Sequence, residues 1–379
     1  MGDLLRAVAA REQAMVDLTS RLVAVPSENP PGNAYAECVE ILTRALGELG
    51  FSPEVLEEGC VRGGFGSGER CLYLHGHYDV VPAQRRDQFE PRLEDGRLYG
   101  RGSADMKGGL AAMIFAVAAL RDAGVELEGR VAFNLVPDEE TGGERGSRRL
   151  ADRGILAPGA IGMLTTEPTG GVVWNANRGA VTMRVTVPGR EAHVGLAHEG
   201  INAFERMLDV ASALRELGRE VTTRGSILLL GGTASSGASF NVVPASASFT
   251  VDRRPNPDED LATERARLLE VLDRFPDVDV DIFQEGDSAG TSEDEPLSRA
   301  LAASVAEVEG SPPAFELCPG LLETRWYARD GIPALAYGPG RLDISHGPEE
   351  HVEIDALVRC ASVYALTIAR VLGTSRAAS

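Results

Sequence analysis

The sequence predicts an α/β protein with a largely parallel sheet, interrupted by an inserted α+β domain. Three observations lead there. Short apolar runs bounded by turn residues, at 71–74, 131–136 and 161–164, alternate with helical stretches near 108–121 and 144–152. After Trp174 the pattern changes to alternating strands with helices between them, and from Leu297 the first rhythm returns. At 379 residues the chain has room for two domains and needs neither disulfide nor metal merely to fold.

The elements follow in order. Leu4, Leu5, Val8, Met15, Leu18 and Leu22 recur at helical spacing, and Asn29-Pro30-Pro31-Gly32 ends that region. A second amphipathic helix fits 34–49, closed by Gly50. Residues 180–187, 245–251 and 278–283 alternate like half-exposed strands, with helices over 202–217 and 258–274. A buried strand at 332–337 and a helix over 353–372 complete the chain. The expected domains are therefore 1–176 with 288–379, and an insertion at 177–287. There is no internal repeat, and only the Gly/Ser/Ala-rich stretch 231–239 approaches low complexity.

A formal net charge of −20 argues against nucleic acid or an anionic membrane as partner. Lys107 is the single lysine among 37 basic residues, a pointer to a site where an arginine fork would not serve. Five scattered cysteines without a C-x-x-C pair fit a reducing compartment. The charged N-terminal stretch lacks a signal-peptide core, and the apolar run 108–120 is too short to span a bilayer. A cytoplasmic location is expected.

The chemistry gathers where strands end. The strand at 71–74 runs into His75-Gly76-His77-Tyr78-Asp79, whose His75, His77 and Asp79 share one face when extended. These are either metal ligands with Asp79 supporting His77, or two packed histidines beside a turn acid. Gly100-Arg101-Gly102-Ser103-Ala104-Asp105-Met106-Lys107-Gly108-Gly109 satisfies neither nucleotide-binding glycine pattern. Asp105 is then either a helix N-cap or a residue brought near a metal. Asp138-Glu139-Glu140 follows the strand at 131–136, where ligands bind in open α/β sheets. In an extended segment its neighbouring side chains diverge, one toward metal and one toward substrate. The acidic triplets at 258–260 and 293–295 read instead as solvated surface. Glu167 follows the strand at 161–164, and His346 follows Gly338-Pro339-Gly340. Together these are nitrogen and oxygen donors without thiolate, a set that fits two zinc ions, with cobalt or manganese as substitutes. Two Zn²⁺, three carboxylates and one hydroxide sum to zero charge.

In this order, H-G-H-Y-D-V-V-P, G-R-G-S-A-D-M-K-G-G, P-D-E-E-T-G-G, T-E-P and G-P-G before a late histidine resemble the co-catalytic zinc amidohydrolases and exopeptidases. That family includes acetylornithine deacetylase, succinyl-diaminopimelate desuccinylase, aminoacylases and glutamate carboxypeptidases. The resemblance covers nearly the whole chain. It implies a zinc-dependent exopeptidase-like catalytic domain and an inserted lid and dimerisation domain. It also implies that His77 and Glu167 bind one zinc, that Glu140 and His346 bind the other, and that Asp105 bridges them. Glu139 would be the general base and Asp79 the partner of His77. In the inserted domain, Glu191-Ala192-His193 and Asn241-Val242-Val243-Pro244 resemble the family's lid motifs. His193 would reach the active site of a homodimeric partner, and Asn241, Arg254, Arg325 and Gly320 would bind substrate.

The implied reaction is hydrolysis of a small N-acyl amino acid by zinc-activated hydroxide, because Glu167-Pro168 looks more like the deacylases than the carboxypeptidases. A dipeptidase or carboxypeptidase on the same fold is the alternative. A non-catalytic binding relative would have lost Glu139 or a ligand, and none is lost. Two departures bear on substrate. Asn177-Arg178-Gly179-Ala180 stands where desuccinylases read R-R-G-S, which argues against that acyl group, and Leu322-Glu323-Thr324-Arg325 replaces [ST]-D-x-R.

Overall fold

Strand Cys71–His77 is buried at every position, and its neighbours explain why. In the computed structural model, which describes residues 2–373, it pairs in parallel with Arg130–Val136 on one side and Ala160–Thr165 on the other. Ala334–Ala336 adds a fourth parallel strand beside Ala160–Thr165. Antiparallel strands flank this group: Val61–Gly66 and Glu54–Val55 beyond Arg130–Val136, and Val173–Asn177 beyond Ala334–Ala336. The mostly parallel centre is the expected one. All four parallel strands therefore send their C-terminal ends to the same rim, which is where His77, Glu140, Glu167 and His346 follow.

Helix Gly108–Asp122 covers one face of this sheet and is buried from Gly108 to Leu120. It packs so closely that a Cβ on Gly76 would lie 2.6 Å from both Leu110 and Met106. With the preceding turn it forms Ser103–Asp122, the one stretch among the described residues long and apolar enough to cross a membrane. Its apolar window is wholly buried inside the protein, so the run is a core helix, and longer than the sequence suggested. Helices Glu12–Val23 and Ile354–Leu372 join it in the main core. The N-terminal periodicity belongs to two helices, Gly2–Ala9 and Glu12–Val23, and the helix expected over 144–152 is reduced to Ser147–Asp152.

The chain divides into two compact units, the second comprising Ala176–Gly290 with Cys318–Arg325. The returning segment was not expected there; Thr324 Oγ1 donates to Asn177 Oδ1 at 2.9 Å, anchoring it. The second unit is a four-stranded antiparallel sheet in the order Ile227–Ser236, Ser246–Arg254, Ala180–Pro188, Asp279–Gly286. Helices Ala203–Thr223 and Leu261–Leu272 pack on it around Val181, Met183, Val185, Leu214, Phe249 and Leu268. Strand Ile227–Ser236 went unread because Gly231 (φ +74°) and a register shift between Leu230 and Ala234 break its alternation. Two thirds of the stretch 231–239, residues 231–236, is thus edge strand.

The acidic triplet 258–260 also corrects its reading. Asp260 caps helix Leu261–Leu272 by accepting from Thr263 N at 2.8 Å. Glu259 lies 2.8 Å from Arg253, a side chain with no solvent exposure, and Glu264 pairs with the same guanidinium at 2.7 Å. A fully buried guanidinium needs such partners, since an uncompensated charge in that position is costly. Glu264→Ala is expected to destabilise the second unit by about 3 kcal/mol, at the low end for breaking a buried pair because Glu259 remains. Urea unfolding followed by circular dichroism checks this, and an unchanged midpoint would contradict it.

Candidate metal centre

His75 and His77 occupy the same face of their strand yet have different fates. His75 is packed: its Nδ1 shares a hydrogen bond with the Tyr327 hydroxyl at 2.8 Å, and its Nε2 another with Ser147 Oγ at 3.1 Å. His77, at the strand's end, hydrogen-bonds through Nδ1 to the backbone carbonyl of Asp79 at 3.0 Å, with the Asp79 carboxylate at 3.4 Å. A proton held on Nδ1 leaves the Nε2 lone pair facing outward from the strand end. The carbonyl of Asp79, rather than its carboxylate, is the nearer partner. That carboxylate is occupied elsewhere, accepting from Glu139 N and Glu140 N at 3.2 Å each and from Asn29 Nδ2 at 2.9 Å. Asp79 therefore ties the histidine-bearing strand to the turn that carries both glutamates.

That turn is not extended. Asp138 adopts a left-handed conformation (φ 74°), and Glu139–Thr141 forms a single 3-10 turn. At about three residues per turn, adjacent side chains point roughly 120° apart, so the divergence expected of Glu139 and Glu140 has a different geometric origin. Asp138 Oδ1 accepts from Asn29 Nδ2 at 3.1 Å and from Thr141 Oγ1 at 2.9 Å, which holds the turn closed.

Asp105 is buried and lies in an irregular turn, with φ −124° and ψ 94°, before helix Gly108–Asp122. It makes no N-cap bond there, so the capping alternative fails. Instead its two carboxylate oxygens face different histidines. Oδ1 lies 3.3 Å from His77 Nε2, and Oδ2 lies 3.2 Å from His346 Nε2. His346 Nε2 is also 3.4 Å from Glu140 Oε1. Two groups of donor atoms result, His77–Asp105–Glu167 and Asp105–Glu140–His346, each within 4.8 Å. Asp105 belongs to both. Gly338 and Gly340 permit this convergence: a Cβ on Gly340 would strike the Ala104 carbonyl at 2.3 Å, and one on Gly338 the Thr166 carbonyl at 2.2 Å.

The donor set fits divalent ions. Two ligands each ~2.0–2.2 Å from a tetrahedral ion stand about 3.3–3.6 Å apart, close to the separations here. Three carboxylates packed together beside two imidazoles also concentrate negative charge that bound cations would offset. Burial acts to raise the Asp105 carboxyl, but His346 and His77 more than offset it and hold it below the usual carboxylate range. Hydrogen bonds to Asp105 and Glu140 push His346 up to about 10.

The remaining expected residues lie in the second unit. His193 is exposed and pairs in register with Val242, which places Asn241 beside it; Val194 N donates to the Asn241 carbonyl at 3.0 Å. Arg254 is ion-paired with Asp252 at 2.9 Å, and Arg325 Nη1 donates to the Leu322 carbonyl at 2.7 Å. Gly320 N donates to Cys318 Sγ at 3.4 Å. Lys107 serves structure: its buried Nζ donates to the carbonyls of Leu22 and Val25 at 2.8 and 2.9 Å, holding the end of helix Glu12–Val23. Sequence reasoning passed over Asn29, which it took for a turn residue, and the pair Arg101 and Glu350. The only signals for that pair were its places inside the G-R-G-S-A-D motif and four residues after His346.

Residues 73–370 match the model of peptidase family M20/M25/M40. A succinyl-diaminopimelate desuccinylase from Alkalilimnicola ehrlichii is 32% identical over 94% of this chain and 99% of its own length. An M20 family metallo-carboxypeptidase from Sulfolobus solfataricus shares the fold at a TM-score of 0.82 and 18% identity, covering 93% of this chain and 98% of its own. A dinuclear metal-binding M20 peptidase from Bacillus subtilis superposes at 0.70 and 17% identity, covering 96% and 99%. The chain belongs to peptidase family M20/M25/M40. It is a metal-dependent amide hydrolase.

The candidate ligands lie at strand ends and in the turns of the sheet rim, whereas the apolar core is complete without them. Chelation is expected to abolish hydrolysis with the far-UV circular dichroism nearly unchanged, and zinc or cobalt to restore it. Full turnover in a sample shown by elemental analysis to be metal-free would contradict this.

Proposed function

We propose that the chain is a two-zinc deacylase of small N-acyl amino acids, acting as a homodimer in the cytoplasm. The observation that carries this reading is the pair of ligand groups sharing Asp105, with Glu139 one residue from Glu140 and in neither group. When bound, two divalent ions polarise the amide carbonyl and make hydroxide available near neutral pH. Cobalt and manganese suit the same donors. Glu139 takes the proton of the attacking water and passes it to the departing amine. Asn241, Gly320, Arg254 and Arg325 bind the substrate, the arginines through its carboxylate once Arg254 is released from Asp252.

Similarity to desuccinylases over nearly the whole chain supports a deacylase, whereas the carboxypeptidase likeness is one of fold. The acyl group is a separate matter. Asn177 is committed to Thr324, and Arg178 donates to the Gly225 carbonyl at 3.0 Å and to Asn256. Asn177 carries no guanidinium, so this position lacks a fork for a second carboxylate, and Arg178 Nη1 is already engaged, which favours acyl groups other than succinyl. The test is a screen of the zinc-loaded protein against N-acetyl, N-succinyl and other N-acyl amino acids and dipeptides. Turnover of dipeptides alone would overturn the deacylase reading.

Two observations support the dimer. Strand Ile227–Ser236 is an edge strand with Ile227 and Leu229 exposed, and Phe204 and Leu208 are exposed on helix Ala203–Thr223. Open strand edges and apolar patches of this kind are covered by partners. Five buried free cysteines accord with a reducing location.

Glu139→Gln is expected to lower kcat by ~10²–10⁴-fold with both metals retained, whereas Glu140→Gln should lose one. His193→Ala should also be nearly inactive if His193 of the partner subunit completes the site. Co-refolding Glu139→Gln with His193→Ala in equal amounts would then revive about a quarter of all sites, since half of randomly paired dimers are mixed. Dimers that regain nothing would show that His193 does not act across subunits.

A further inference from the structure

Arg101 and Glu350 are both buried and neither belongs to a ligand group, yet between them they touch two ligand-bearing loops. Glu350 Oε1 accepts from Gly102 N at 2.9 Å and from Ala104 N and Asp105 N at 3.1 Å each. Its other oxygen is paired with Arg101 Nη1. Arg101 Nη2 in turn donates to the backbone carbonyl of His346 at 3.0 Å. The join is continuous with a small antiparallel sheet, in which His351, Val352 and Glu353 pair with Tyr99, Leu98 and Arg97, and Gly100 N donates to the Glu350 carbonyl at 2.9 Å.

We infer that Glu350 and Arg101 are positioning residues that set the separation of Asp105 and His346, and so tune the affinity of the metal held between them. Three amide donors converging on one carboxylate oxygen fix the turn that presents Asp105. The guanidinium fork then ties that carboxylate to the loop presenting His346, whose backbone is left-handed at φ 63° and requires outside support. His346 takes part only in the group with Glu140, so loosening the couple acts on that ion more than on the one beside His77 and Glu167. This inference rests on the two-metal reading of the centre.

The test is a competitive-chelator titration of zinc into the purified full chain and two variants, paired with kcat and KM. The unmutated chain must bind two ions, and if it does not, the reading of the centre fails before the couple is judged. Glu350→Gln keeps the shape and one acceptor oxygen, but removes the charge and turns an NH2 donor toward either the Arg101 guanidinium or the three backbone N–H groups. Arg101→Lys keeps the charge and leaves the three amide bonds to Glu350, losing only the fork. In each, the weaker zinc site is expected to lose about 10–100-fold in affinity, the range for residues supporting a ligand. The tighter site should change less, and kcat should recover at raised zinc with KM little altered. Should Glu350→Gln not fold, Arg101→Lys decides. Two unchanged zinc affinities, even with a lowered melting temperature, would overturn the inference and leave the pair a role in folding alone.

Discussion

Everything at the rim of the larger sheet depends on one crowded carboxylate. Asp105 is buried, faces an imidazole with each oxygen, and belongs to two groups of donors that also hold Glu140 and Glu167. Such a concentration of acids calls for positive charge, and two histidines, even both protonated, leave the three carboxylates one negative charge in excess. The fold brings the acids together regardless. Four parallel strands end at one rim, two glycines in the 338–340 loop remove the side chains that would hold the loops apart, and Asp79 binds the backbone of the glutamate turn. The scaffold builds an arrangement that favours two cations, and the same arrangement leaves Glu139 outside the ligand groups.

The sequence made the strands legible because fully buried parallel strands read as uninterrupted apolar runs, and the positions just beyond them carry the chemistry. What it left open were choices that only tertiary partners decide. His75 and His77 have equal claims on the page of the sequence, and Tyr327, 252 residues away, takes His75 out of contention. Asp105 as a cap or as a ligand turned on a backbone departure from helix that no periodicity reports. Glu259 was read as surface because the guanidinium that buries it sits on a neighbouring strand. Arg101 and Glu350 were invisible for a different reason: a pair 249 residues apart has no local signature.

The second unit answers to a different constraint. Its sheet is covered by helices on one side and built around an aliphatic core, with Arg253 fully buried among acids, so it holds together without the metal centre. His193 and Asn241 stand next to each other because two short strands pair there, although 48 positions separate them in sequence. The unit thus brings two of its proposed site residues together at one corner, while Arg254 stands at the far end of strand Ser246–Arg254, and Asn177 and Leu322–Arg325 belong to the same unit. The two groups of candidate metal donors lie in the larger unit, and the proposed substrate residues lie in the second.

The central claim is that Asp105 sits between two ions. Anomalous diffraction at the zinc edge, from crystals of the zinc-loaded protein, tests it most directly. Two peaks about 3.5–4 Å apart are predicted, the usual spacing of a two-metal site, one beside His77 and Glu167 and the other beside Glu140 and His346. A single peak, or two peaks that do not both contact Asp105, would contradict the account.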